Sequence, residues 1–424
     1  MTEKMKPSGI AWIGDIPSGW GAKRIKYVIS DIKDGTHGTF DRVESGELLL
    51  SAKNVFDDGI HIGSNESEIS YSDYTSIVAN GFPQRNDVLL CCVGTIGRCC
   101  VYNFEKPLAF QRSVSFLRPL ADTIPSFLKY ALQSDSTTVQ EQLLLNKSAQ
   151  EGLYMGSVRE MVVAMPDTVS EQRAIADFLD TQCAKIDSVI ADIEKQIETL
   201  QKYKKSLITE TVTRGLDRSV PMKDSGVNWV GKIPAHWSVK RLKYVMNNFD
   251  SQRKPIEAQN RSQDGDVLYD YYGASGAIDK IDDYIFDETA LLIGEDGANL
   301  VLRHLPLIYI ATGKYWVNNH AHILRPKAES DLYFMAHQME IIDYSLLITG
   351  SAQPKLSQEN LNNVMLVVPP LEEQLEIATF LNQKVTVIDE IIGNKQKQLD
   401  AIRQHKKSLI YEYVTGKKRV AEVN

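Results

Sequence analysis

Two groups of polar side chains, each set among Gly, Asp and Asn turn residues, carry the capacity of this sequence for chemistry. The first holds Thr36, His37, Lys53, Asn54, Gln111 and Arg112; the second holds Tyr272, Ser275, Lys314, Asn318, Asn319 and His320. Amides, hydroxyls, imidazoles and guanidinium groups on loops are the types that bond to base edges, while Lys and Arg neutralise phosphates. Ordinary turn chemistry or a solvated surface accounts for the same residues, so both readings stand. His320 and His322 share one face if residues 318–324 form a strand. Without a third ligand they do not make a metal site.

Motifs for catalysis are missing. No Gly-x4-Gly-Lys-Ser/Thr run occurs, so no phosphate-binding loop of a motor ATPase is recognisable. No Glu-x-Lys occurs, which removes the usual tail of a common nuclease metal site. Pro369-Pro370 lies between Val368 and Leu371 rather than in the Asn/Asp-Pro-Pro-Tyr/Phe motif of amino-methyltransferases. His, Cys and carboxylate residues show no triad or metal spacing. Cys91, Cys92, Cys99 and Cys100 crowd into one stretch and Cys183 stands apart. Two adjacent pairs around a Gly-Thr-Ile-Gly turn fit buried strand ends better than zinc ligands or a disulfide framework, so buried free thiols are expected.

Whatever the polar loops touch, a frame written twice must hold them. Ser8–Val28 recurs as Ser225–Val245 at an offset of 217, with 12 of 21 positions identical. Glu171–Thr213 recurs as Glu373–Thr415 at an offset of 202, with 19 of 43 identical. The stretches between, roughly 29–165 and 246–368, share little beyond Ser148-Ala149-Gln150 and Ser351-Ala352-Gln353. A frame duplicated around two dissimilar inserts does one job twice, while each insert is free to do its own.

The longer repeat has a period. Leu179, Cys183, Ile186, Ile190, Ile193, Ile197, Leu200, Lys204 and Leu207 alternate spacings of four and three, and Leu381, Val385, Ile388, Ile392, Lys395, Leu399, Ile402, Lys406 and Leu409 repeat the register. This predicts a coiled-coil helix in each copy, about 65 Å long at ~1.5 Å per residue. Ser170 is a candidate N-cap of the first helix, and Pro370 fits the first position of the second, with Glu372 and Glu373 in its first turn. Packing of each helix on its own domain is the alternative use of such a stripe; a strict period kept in both copies favours a partner helix. Two copies in one chain imply a pseudo-twofold axis, antiparallel helices and inserts at opposite ends of the pair.

At 424 residues, with 43% hydrophobic and 24% charged, the chain exceeds one ordinary core and suits several soluble domains. No stretch approaches the ~20 apolar residues of a membrane span and no signal-peptide core opens the chain, so a cytoplasmic protein is expected. Net charge is −8, and residues 29–165 hold 11 Lys plus Arg against 17 Asp plus Glu. This balance excludes a domain that grips DNA by excess positive charge alone, and predicts that phosphate affinity comes from a partner.

Each insert reads as short β-runs broken by Gly, Asp and Asn, followed by a short helix. The expected fold is α+β: two mixed α/β recognition domains with β-sheet centres, separated by two long helices forming an antiparallel coiled coil, with an internal pseudo-twofold repeat. The expected boundaries are 1–165 for the first domain, 166–215 for the first helix, 216–224 for a linker, 225–368 for the second domain, 369–416 for the second helix and 417–424 for a tail.

The pattern Ser-Gly-x2-Trp-x-Gly-x-Ile-Pro-x2-Trp-x3-Arg-x-Lys, a variable insert, then Glu-Gln-x2-Ile-Ala-x-Phe-Leu opening a heptad helix, all repeated, resembles the specificity subunits of type I restriction-modification systems. Asp34-Gly35-Thr36-His37, Leu292-Ile293-Gly294-Glu295-Asp296-Gly297 and Val317-Asn318-Asn319-His320 add to the resemblance, which covers essentially the whole chain. It implies two target-recognition domains, each reading one half of an asymmetric double-stranded DNA site with a nonspecific gap. It also implies paired helices that dock two methyltransferase subunits carrying S-adenosylmethionine, and separate restriction subunits that translocate with ATP and Mg. No cofactor or catalysis is then expected of this chain. Two rival classes are a fused restriction-methyltransferase, disfavoured by the missing motifs, and a DNA-mimicking inhibitor, suggested by the acidic balance but in no need of a duplicated heptad frame.

Overall fold

The computed structural model describes residues 4–145, 151–350 and 354–420. The repeated Ser-Ala-Gln triplets lie outside the described residues. The chain divides into two compact units, residues 1–194 with 397–424, and residues 195–396. The α+β expectation holds.

Each unit is built on a four-stranded antiparallel sheet with the same strand order. In the first, the order is Cys99–Val101, Val88–Cys91, Val114–Pro119, Ile29–Asp34. In the second, it is Ile308–Ala311, Ala290–Gly294, Ala321–Pro326, Met246–Asn248. A smaller sheet accompanies each, centred on a parallel pair: Ala109–Phe110 beside Glu47–Leu50, and Lys314–Val317 beside Tyr269–Gly273. The apolar runs seen in the sequence fill these strands; Val88, Leu89, Leu90 and Cys91 are all buried, as are Leu291, Leu292 and Ile293. All five cysteines are free and buried. Burial pushes the Cys91 thiol up to about 11 and the Cys92 and Cys100 thiols to about 12, so they behave as small apolar groups.

The heptad stripes form two helices, Val169–Arg214 and Leu371–Val414. The first helix is capped by Thr168, whose Oγ1 accepts the Glu171 amide at 3.3 Å, and not by Ser170 as expected, because Ser170 already lies inside the first turn. The second begins one residue after Pro370, whose carbonyl accepts the Gln374 amide. Every heptad position, Lys204, Lys395 and Lys406 included, is buried or half-buried, while most positions between them are exposed.

Within each unit the two helices run antiparallel. In the first unit Phe178 packs on Tyr413, Asp187 pairs with Lys406 at 2.6 Å and Glu194 with Arg403 at 2.6 Å, partner numbers falling as the others rise. In the second, Gln196 accepts from Lys395 at 2.5 Å and Lys204 pairs with Asp389 at 2.7 Å. The pairs Asp187–Lys406 and Asp389–Lys204 are one interaction made twice, once in each unit, since both partners differ by the repeat offset. The stripe also serves the alternative use. Leu179, Cys183, Ile410 and Val414 join the first domain's core, and Ile208, Val212, Ile377 and Leu381 join the second's. Each domain thus rests on the start of its own helix and the end of the other.

Residues 222–224, expected as linker, form a strand against Lys232–Pro234, as Met5–Pro7 does against Asp15–Pro17. The repeat therefore begins three residues earlier than its strongest identities suggest.

Candidate nucleic-acid interface

The repeated Glu-Gln pair explains how each domain is seated. Trp20 Nε1 donates to Glu171 at 3.2 Å, and Trp237 Nε1 to Glu373 at 2.8 Å. Buried Gln172 accepts the Ile124 amide and donates to the Asp122 carbonyl; buried Gln374 accepts the Asp331 amide and donates to the Glu329 carbonyl. Both glutamines thereby fix the entry to the short helix of their domain, Pro125–Gln133 or Leu332–Ile341. A second, unforeseen pair of glutamines holds the other edge. Gln140 grips both backbone groups of Val162 at 2.6 and 2.8 Å, and Gln338 grips both of Val367 at 2.7 and 2.9 Å. They stand in for a missing neighbour strand beside the segment that enters each long helix.

On the first domain, the turn after Ile29–Asp34 is fastened to residues 110–112. Thr36 bridges Gln111, its amide donates to Phe110 O at 2.7 Å, and the Arg112 amide returns to Thr36 O at 2.9 Å. Gly35 is obligatory there, since a Cβ would lie 2.3 Å from the carbonyl oxygens of both Phe110 and Gln111. The Gln111 amide also bonds Leu50 O, which brings the 51–54 turn alongside. Thr36, His37, Lys53, Gln111 and Arg112 therefore gather on neighbouring loops. His37 is exposed, 3.8 Å from Asp34, whose carboxyl burial pushes up against the opposing bond from Ser115. Lys53 is exposed and paired with Glu66 at 2.7 Å. Asn54 is a correction: it is only 2% exposed, accepts the Ser51 amide and donates to His61 O, so it clamps the turn and presents nothing to a ligand.

On the second domain, the Asn318 amide bonds Tyr272 O at 3.0 Å, and the exposed Ser275 tops the turn between Tyr269–Gly273 and Gly276–Ile281. Gly294 packs against that turn, where a Cβ would lie 2.5 Å from Ala274 O. Tyr272, Ser275, Asn319 and His320 thus share one end of the domain. His320 is half-exposed, its Nδ1 2.7 Å from Asp296. Asn318 is the second correction: at 3% exposed, its Oδ1 is taken by the His320 amide, so it shapes the loop from inside. Lys314 lies at the far end of its strand, stacked over Tyr284 at 4.4 Å, and does not join the group.

Beneath these loops lies a buried ionic network. His322 places Nδ1 2.5 Å from Asp250 and Nε2 2.8 Å from the Leu356 carbonyl. Glu295 pairs with Arg253, and with Lys355 at 3.0 Å. Burial raises the Asp250 and Glu295 carboxyls, but His322 on one, and Arg253 with Lys355 on the other, outweigh it and hold both below their ordinary values. Asp250, Glu295 and His322 have ligand-type atoms within 4.8 Å of one another. Arg253 and Lys355 already supply the positive charge a metal would bring, so the cluster reads as a structural latch. Asp34, Ser115 and Cys92 occupy the corresponding places in the first domain, with Ser115 bonded to Asp34 and 3.1 Å from Cys92. Sequence could not pair Asp250 with His322, 72 residues apart.

Comparison with known proteins points one way. Residues 234–401 match the family described as the type I restriction modification DNA specificity domain. A putative type I restriction enzyme specificity subunit of Methanocaldococcus jannaschii (MjaX) is 24% identical over 431 residues, spanning 96% of each chain. A putative type I restriction enzyme specificity subunit of Haemophilus influenzae is 29% identical over 151 residues, covering 36% of this chain and 38% of that one. A chain from a structure on complex assembly and conformational transition of the type I R-M system shares the fold at a TM-score of 0.65 and 12% identity, covering 95% of this chain and 99% of that one. With its duplicated frame and paired domains, the chain is similar along nearly its whole length to the type I restriction-modification specificity subunits.

Proposed function

We propose that each domain reads one half of a bipartite, asymmetric DNA site, that the paired helices set the distance between the halves, and that the frame docks two methyltransferase subunits. In this reading the chain catalyses nothing. S-adenosylmethionine, ATP and Mg belong to the methyltransferase and restriction subunits, in the cytoplasm. The observation that carries the reading is that two domains of identical sheet order, seated by the same Glu-Gln and Trp contacts, present different side chains from corresponding loops: Thr36, His37, Gln111 and Arg112 on one, Ser275, Asn319 and His320 on the other. One scaffold with two surfaces suits two unrelated sequences. Val189 and Ile391, exposed on the long helices and related by the repeat offset, are apolar places for partner helices.

The test is the methylated-adenine map of cells with the gene, without it, and with residues 29–165 replaced by the corresponding insert of a relative. The reading requires a bipartite motif that vanishes on deletion and changes in one half only on replacement. Changes in both halves, or none, would refute independent reading.

A further inference from the structure

The first repeated block contains a run that neither packing nor base reading explains. Of the 12 identities between Ser8–Val28 and Ser225–Val245, eight serve the fold. Ser8 and Ser225 cap a turn, Gly9, Gly14, Gly226 and Gly231 adopt φ between 68° and 76°, and the Trp, Ile, Pro and Val positions pack against the cores. The remaining four form a basic and aromatic run, Lys23-Arg24-x-Lys26-Tyr27 and Lys240-Arg241-x-Lys243-Tyr244.

The two runs are presented alike. Ile25 N bonds Met161 O and Leu242 N bonds Val364 O, both at 2.8 Å. Tyr27 is 62% exposed and Tyr244 61%. Lys26 and Lys243 each hold Nζ 5.4 Å from the centre of the following Tyr ring. No ion pair common to both copies accounts for the cations, since Lys240 lies 3.9 Å from Glu329 while the first unit pairs other members of its run. In the first unit Glu160 pairs with Arg24 at 3.1 Å and Lys26 at 2.6 Å, but the corresponding place in the second unit is Asn363, which accepts from Arg241 at 3.3 Å. The acid is absent from the second copy while all three cations and the Tyr are present. Exposed and half-buried polar residues kept in both copies, on a chain of net charge −8, mark a contact that both units make.

The DNA halves differ, and the patch lies away from the candidate readers: strand Ile29–Asp34 separates Tyr27 from the His37 turn by about 17 Å at ~3.3 Å per residue. What both units share is a protein partner bound once to each. Exposed Tyr and Arg are the side chains that anchor such contacts. We propose that these patches dock an acidic surface of the methyltransferase subunit, one copy per unit; the inference rests on the function proposed above.

The test uses the full-length subunit mixed with its methyltransferase, with bound copies counted by native mass spectrometry and melting curves as the folding control. Wild type should bind two copies. Lys26→Glu with Tyr27→Ala, or Lys243→Glu with Tyr244→Ala, should each leave one, and the four changes together should leave none, while Tyr27→Phe and Tyr244→Phe should still bind two. Two bound copies on the fourfold variant would overturn the inference and leave the proposed function standing. So would unchanged assembly combined with weaker DNA binding and a shallower salt dependence, which would assign the patches to phosphates. A wild-type chain that binds no methyltransferase would remove both.

Discussion

Replacing Gln338 by Leu tests whether a side chain can serve as the missing strand of a sheet. Strand Met365–Val368 is paired on one side only among the described sheets, and Gln338 satisfies both Val367 backbone groups on the other. Gln338 is fully buried, so water does not replace it readily. Leu is of similar size but leaves a buried N–H and a buried C=O unpaired, at roughly 1–3 kcal/mol each, with about 1 kcal/mol recovered by its apolar atoms. A net loss of about 3 kcal/mol in a unit of this size lowers its melting temperature by roughly 6–12 °C. The two units need not unfold together, so calorimetry should resolve their transitions. Gln338→Leu should lower that of the second unit and Gln140→Leu that of the first, while hydrogen exchange at the Val367 amide accelerates in the former. A shift under about 2 °C with unchanged Val367 exchange would show that the edge is satisfied by other means and would refute the reasoning.

Glu141 is buried with Oε1 unpartnered, and burial pushes its carboxyl from 4.5 up to about 7. Because the folded value lies above the unfolded one, its contribution is complete below the unfolded value and is lost as pH rises through the folded one. Glu141→Gln should therefore be more stable than wild type at pH 8, by up to about 3 kcal/mol, and flatten the fall in stability between about pH 5 and 8; parallel pH profiles would contradict this. Gly35→Ala sets a methyl group 2.3 Å from two backbone oxygens, so the 34–37 turn should detach, and methylation mapping should show recognition lost at the half-site read by the first domain. One heptad inserted after Leu200 and one after Ile402 keeps the seam in register and adds about 10.5 Å at ~1.5 Å per residue, or roughly three base pairs at ~3.4 Å each. The methylated motif should keep its half-sites and lengthen its gap; a changed half-site with an unchanged gap would sink the idea that the helices set the spacing.

The sequence by itself determined what depends on period and on local chemistry. The spacings of four and three place every heptad residue from Leu179 to Leu207 and from Leu381 to Leu409 on the sheltered stripe, because helical geometry converts spacing directly into a face. The duplicated blocks determined that the domains share a frame, and the apolar runs around Val88–Cys91 and Ala290–Gly294 determined the sheet centres. Tertiary structure alone decided which polar residues face outward. Asn54 and His37 look alike as loop residues, yet one clamps His61 from inside and the other is exposed, because a turn's inward side is set by the strands it joins. Asn318 and Asn319 are adjacent and identical, yet in the turn after Val317 one faces inward, where the His320 amide takes its Oδ1, and the other is exposed. The same holds for Gln140 and Gln338, for the Asp250–His322 pair and for the cations around Tyr27 and Tyr244. Each takes its meaning from a partner, or from the lack of one, that only the folded chain brings within reach.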